Sequence, residues 1–223
     1  MKTIIALLMV GLCFSAAALD KAEVELRANK LLTKFDAMQA KPDKRVPADI
    51  LNKAHGLILL DRTKAGFLFA YQGGTGMAMV KDEKTKKWSP VAFLKANEGS
   101  LGFQIGSQQT FFVIVLMNQD STRLLTESTF EVGGEARGTA GETTSGVDAK
   151  VASTERSVLV YDERKGLFGG ASIKGGAISP DEEANLLYYS KPVTIREILF
   201  EKKVEPTAAA TNFVAKVEAS SKK

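Results

Sequence analysis

Apolar and polar positions divide the chain into stretches of different period. From Asp20 to Met38 the apolar residues Val24, Ala28, Leu31, Leu32, Phe35 and Met38 fall on one stripe at helical spacing, which predicts an amphipathic helix. Pro47 suits the first turn of a short second helix with Ile50, Leu51 and Ala54 inward, and Gly56 is expected to close it as a left-handed cap. Beyond it the period shortens. Leu57–Leu60, Phe67–Tyr71, Met77–Val80, Val91–Leu94, Leu101–Ile105 and Phe111–Met117 read as strands, parted by the turn-like DRTK, YQGG, DEKTKK, NEGS and SQQ. Strands recurring about every 8–12 residues suggest an antiparallel sheet curling toward a barrel or sandwich. Asn118 is placed to cap a short helix running to Glu127. Strand resumes at Phe130–Ala136 and at Ser157–Tyr161, and Arg137–Val151 reads as weak strands or a loop. Ser179-Pro180-Asp181-Glu182 has the form of a capping box before a helix to about Tyr189, and Ile195–Phe200 reads as a last short helix. From residue 201 to 223 the composition predicts a flexible tail or a short helix.

The glycines of KGLFGGASIKGGAIS (Lys165–Ser179) raise the question of phosphate binding. Neither a P-loop nor a dinucleotide fingerprint occurs, and Lys174 precedes glycine rather than a hydroxyl residue. The steric reading is a strongly bent strand at a sheet corner. LILLDRTKAGFLFAYQGGTG (57–76) echoes VLVYDERKGLFGGASIKGG (158–176), with Asp61 and Asp162 opening the expected turns. Two hairpins set side by side would gather Arg62, Lys64, Arg164 and Lys165 into one basic patch.

Composition adds a targeting expectation. Met1-Lys2, an apolar run from Ile4 to Phe14 and the small residues Ser15–Ala18 match a secretory signal cleaved after Ala18, which predicts a periplasmic or secreted protein. Leu12 before Cys13 argues against a lipoprotein signal. Cleavage would remove Lys2 and the sole cysteine, so the formal charge of +4 falls by one and no disulfide is possible. Such a mild excess exerts no strong pull on nucleic acid, and no strand interleaves basic with aromatic residues.

Catalytic chemistry finds little purchase. His55 is the only histidine and reads as a packed residue near a helix end. Gly170-Ala171-Ser172-Ile173-Lys174 fails as a nucleophile elbow at its last position. Zinc lacks His and Cys ligands. Glu182-Glu183 suits the positive end of a helix. The expectation is a non-enzymatic chain without cofactor or metal, a carboxylate-based enzyme being the weakest alternative.

The order Val46-Pro47, Ala54-His55-Gly56-Leu57, Lys64–Phe69, Trp88-Ser89-Pro90, Phe112-Val113, Lys165–Gly175 and Glu183-Ala184-Asn185 with Tyr188 or Tyr189 resembles the SYLF-domain family. The resemblance runs over nearly all of residues 24–200. It implies one lipid-binding domain across residues 20–200, of a family whose eukaryotic members bind phosphoinositides and in some cases actin filaments. It also implies membrane contact through a basic amphipathic N-terminal helix, and bacterial members that resemble exported proteins.

Together these observations predict an α+β fold. Its centre is a strongly bent, largely antiparallel β-sheet or partly closed barrel, flanked by an N-terminal amphipathic helix and short C-terminal helices. The expected partners are anionic lipid headgroups or a membrane surface, with a periplasmic protein partner as the alternative. The candidate contacts are Arg27, Lys30, Lys34, Lys41, Lys44, Arg45, Arg62, Lys64, Arg164 and Lys165, each cation near an anionic surface contributing about 1 kcal/mol.

Overall fold

A computed structural model describes residues 19–67, 70–100, 105–131, 158–165 and 177–222. The signal-like segment 1–18, the stretch 132–157 and the glycine-rich 166–176 lie outside them. Helix α1 (Lys21–Gln39) opens on Asp20, whose carboxylate accepts the amide of Glu23 at 2.8 Å. Every residue of its predicted stripe is buried. Helix α2 (Ala48–Lys53) starts one residue after Pro47, which serves as its N-cap.

The centre is a seven-stranded antiparallel sheet in the order β5-β7-β3-β2-β1-β4-β6, open among the described residues. Its strands are β1 (Gly56–Phe67), β2 (Ala70–Val80), β3 (Ala92–Ser100), β4 (Ile105–Leu116), β5 (Phe130–Glu131), β6 (Val158–Lys165) and β7 (Ala177–Pro180). Four expected turns prove to be strand. DRTK pairs with Gln108–Phe111 on one side and Gln72–Thr75 on the other, so YQGG and SQQ are strand with it, and NEGS closes β3 against β2. Backbone pairing on both sides of β1 carries its polar half along with its apolar half. Only DEKTKK is a turn, between β2 and β3. Gly56 likewise opens β1 instead of capping α2.

Glycines in β2 answer a steric demand. A Cβ on Gly74 would lie 2.7 Å from the Asp61 carbonyl oxygen, and one on Gly76 would lie 2.8 Å from that of Leu59. The β1 backbone presses onto β2 where side chains are missing.

Both faces of the sheet are covered, which explains the unbroken Leu57–Leu60 run. Leu57, Leu59, Met77, Phe111 and Val113 pack under α1, α4 (Glu182–Tyr189) and α6 (Ala208–Ser220). Ile58, Leu60, Ala78, Phe112 and Ile114 pack against Leu125 and α5 (Ile195–Leu199). Leu125 belongs to a 3-10 turn (Arg123–Thr126) that follows α3 (Gln119–Thr122), which is capped by Asn118 as expected.

The expected box at Ser179 is displaced. Ser179 and Pro180 pair with Lys95 and Leu94 as the end of β7, and Asp181 caps α4 by accepting the Ala184 amide at 3.1 Å. Buried Asn185 then accepts the Phe93 amide at 2.8 Å and donates to the Phe93 carbonyl at 3.2 Å, fastening α4 to β3. The segment after residue 200 ends in α6, whose Phe213 packs edge-on to Phe35 of α1.

Candidate functional site

Helix α1 uses its apolar stripe on the sheet, so the basic residues beside it divide by what they meet. Lys34 reaches down to Asp61 of β1 at 2.5 Å, and Gln109 donates to the same carboxylate oxygen at 3.1 Å. Lys41 reaches Glu163 of β6. Arg27 pairs along its own helix with Glu23 at 3.3 Å. The Lys34 and Lys41 pairs tie α1 and the loop after it to the sheet, while Arg27 is answered within its own helix. Lys30, Lys44 and Arg45 are exposed and make no ion pair among the described residues.

The second expected patch does not assemble as two turns. Strands β1 and β6 do lie on either side of β4, but one residue out of step with the sequence echo. Leu57 and Leu159 both pair with Val115, and Asp61 shares Phe111 with Glu163. A one-residue offset exchanges the faces, so Asp61 and Asp162 stand on opposite sides of the sheet. Arg62 lies within β1 and is only 4% exposed, which removes it from any surface patch. Lys64, Arg164 and Lys165 are known by register alone. Arg164 shares Thr110 with Arg62, while Lys165 pairs with Gln109 and Lys64 with Gln108.

The loop after α1 is closed by a side chain that the sequence did not single out. Gln39 accepts the Val46 amide at 2.7 Å and donates to the Val46 carbonyl at 3.4 Å, pairing as a strand would. The clasp closes the short loop that carries Lys41, which turns to Glu163, and the exposed Lys44 and Arg45. Beside it lies a cavity of about 270 Å3, lined by Gln39, Pro42, Arg45 and Val46 and, from the far end of α6, Ser220. The nearest sequence signal was a glutamine in the last turn of an amphipathic helix, which has many ordinary explanations.

His55 sits half-buried between α2 and β1. Its amide donates to Leu116 and its carbonyl accepts from Lys81, while Nδ1 is buried without a hydrogen-bond partner among the described residues. Among the described residues no group of three or more His, Cys, Asp or Glu could hold a metal. No helix among them is long and apolar enough to cross a membrane.

Comparison with known proteins bears on this arrangement. The family described as Ysc84, Las17-binding protein actin regulator, matches residues 97–220. LAS seventeen-binding protein 3 of Saccharomyces cerevisiae is 34% identical over 162 residues, covering 70% of this chain and 35% of its own length. The chain belongs to the Ysc84 family. This is the SYLF-domain family that its motifs resemble. Another Ysc84 relative, Protein YSC84 of the same yeast, is 33% identical over 172 residues, covering 75% of this chain and 36% of its own. The human SH3 domain-containing YSC84-like protein 1 is 29% identical over 187 residues, covering 82% and 54%. The chain thus spans from 35% to 54% of the length of these relatives. No solved structure matches.

Proposed function

We propose that this Ysc84-family chain is a non-catalytic domain, exported by its N-terminal apolar segment, that binds anionic phospholipid headgroups at the cell envelope. The observation that carries the reading is the clasped 39–46 loop. Lys44 and Arg45 leave it without carboxylate partners, and Arg45 borders a cavity of about 270 Å3. Lys30, on the exposed side of α1, adds a third unpaired cation. Binding is peripheral, because the apolar stripe of α1 is already buried in the protein. Lys34 and Lys41 already answer carboxylates, so their share in headgroup binding is small.

Co-sedimentation with vesicles tests the reading. The full chain binds phosphatidylcholine vesicles that contain phosphatidylserine, ignores phosphatidylcholine alone, and releases as salt rises. Joint Lys44→Gln and Arg45→Gln substitution removes about 2 kcal/mol, roughly a thirtyfold loss. Indifference of the wild type to anionic lipid rejects the reading. A second reading, a protein-binding scaffold, draws on the family's being described as Las17-binding and actin-regulating. Under it a protein partner is captured while vesicles of every composition are ignored.

A further inference from the structure

The turn between β2 and β3, Asp82–Lys87, carries a basic cluster of its own. Asp82 organises it, accepting the amides of Lys84 at 3.0 Å and Thr85 at 2.7 Å and the ammonium of Lys202 at 2.8 Å. That carboxylate is therefore fully engaged inside the turn. Lys84, Lys86 and Lys87 stand outward, exposed and without an ion pair among the described residues. Lys86 is held at φ 56°, a left-handed conformation that costs a non-glycine residue free energy. Lys81 lies 4.7 Å over the ring of Trp88, which is half-buried at the base of the turn. Burial, and then the charge of Lys86, push the Lys81 ammonium below its ordinary range. Three exposed lysines without ion pairs in one short turn crowd like charge, and an anion at the surface offsets that repulsion.

This turn connects with the clasped loop. Lys81 donates to the Asn52 carbonyl of α2 at 3.4 Å, and Asn52 donates to Ser221 at the end of α6 at 3.1 Å. Ser220 and Arg45 line one cavity. Exposed Lys53 and Lys222 flank these links in sequence. Acids are present too, Asp43, Asp49, Glu83 and Glu218, but the cations outnumber them.

We propose that the β2–β3 turn and the 39–46 loop form one continuous polybasic face that lies flat on an anionic lipid bilayer, with Lys84, Lys86 and Lys87 as its outer contacts. The proposal rests on the lipid reading above and adds a surface to it. Lysine predominance favours lipid over an acidic protein. Flexible point charges suit diffuse phosphate, whereas paired carboxylates favour the fixed fork of arginine. Trp88 beside the lysines is the aromatic that sits well at headgroup depth.

Trp88 is the only tryptophan, so its emission reports on this face alone. The full chain is titrated with phosphatidylcholine–phosphatidylserine vesicles, with and without brominated lipid. Bound protein shows Trp88 quenching by the brominated lipid. The triple variant K84Q/K86Q/K87Q binds about a hundredfold more weakly, roughly fivefold per lysine, with an unchanged melting temperature. Binding without quenching, or with full affinity in the triple variant, overturns this face and leaves the lipid reading standing. Absence of binding in the wild type overturns both. Capture of an acidic protein that needs these lysines, with no vesicle binding, gives the face to a protein and also overturns the proposal.

Discussion

Gly76 shows how much one missing side chain decides. It lies inside a strand, where glycine is entropically poor, and a Cβ would meet the Leu59 carbonyl oxygen of the neighbouring strand at 2.8 Å. Backbone cannot yield as a flexible side chain can. Gly76→Ala is therefore expected to cost on the order of 2 kcal/mol in urea denaturation, the range of an overpacked core. The steric reading of glycine was made for Lys165–Ser179, most of which lies outside the described residues, whereas YQGG was read as a turn, so the demand on the β2 glycines appears only once β1 lies opposite them. Gln39 was not legible in the same way. Its role depends on meeting Val46 after the chain has turned, and nothing in the intervening KPDKR states that distance.

Helix α1 was legible as an element, because a stripe at 3.6-residue spacing needs only local geometry. Which surface receives the stripe was not. The same pattern serves a sheet or a membrane, and the structure assigns it to the sheet. Lys34 belongs to this scale. Its ammonium answers Asp61, whose side chain is only 9% exposed. Lys34→Met leaves that carboxylate with Gln109 alone and is expected to cost about 2–3 kcal/mol, with Lys34→Met/Asp61→Leu recovering most of it. Chemical denaturation of the two variants measures both. Vesicle affinity should barely move, which separates a seat for the helix from a lipid contact. For α6 the composition left a flexible tail and a short helix as alternatives. Its alanines resemble a tail, and it is the burial of Ala209, Ala210, Phe213 and Val217, with Phe213 edge-on to Phe35, that sets it in the core, while Lys216 pairs with Asp36 at the surface.

For the whole molecule, buried phenols couple the fold to alkaline pH. Tyr161 is pushed up to about 12, chiefly by burial and then by the charge of Asp49. Tyr189 is raised by burial and by Tyr188, and Tyr188 by burial foremost. Their folded-state values exceed the ordinary 10.0, so the unfolded chain ionises first. The stabilisation is complete below pH 10.0 and falls as pH rises from there through about 12. Urea denaturation across this window is expected to show falling stability, and Tyr161→Phe, which cannot ionise, to flatten the fall.

Taken alone, the sequence determined what depends on near neighbours. The stripe of α1, the Asn118 cap, the apolar strand halves and the family motifs all lie within a few residues of themselves along the chain. Tertiary structure decided what depends on who lies opposite. It joined short apolar runs to polar ones as long strands, because β1 is hydrogen-bonded on both sides and cannot turn at Asp61. It also set β6 one residue out of step with the echo of β1. Side chains alternate with period two, so that single step set Glu163 level with Asp61 on one face, across β4, and turned Asp162 to the far face.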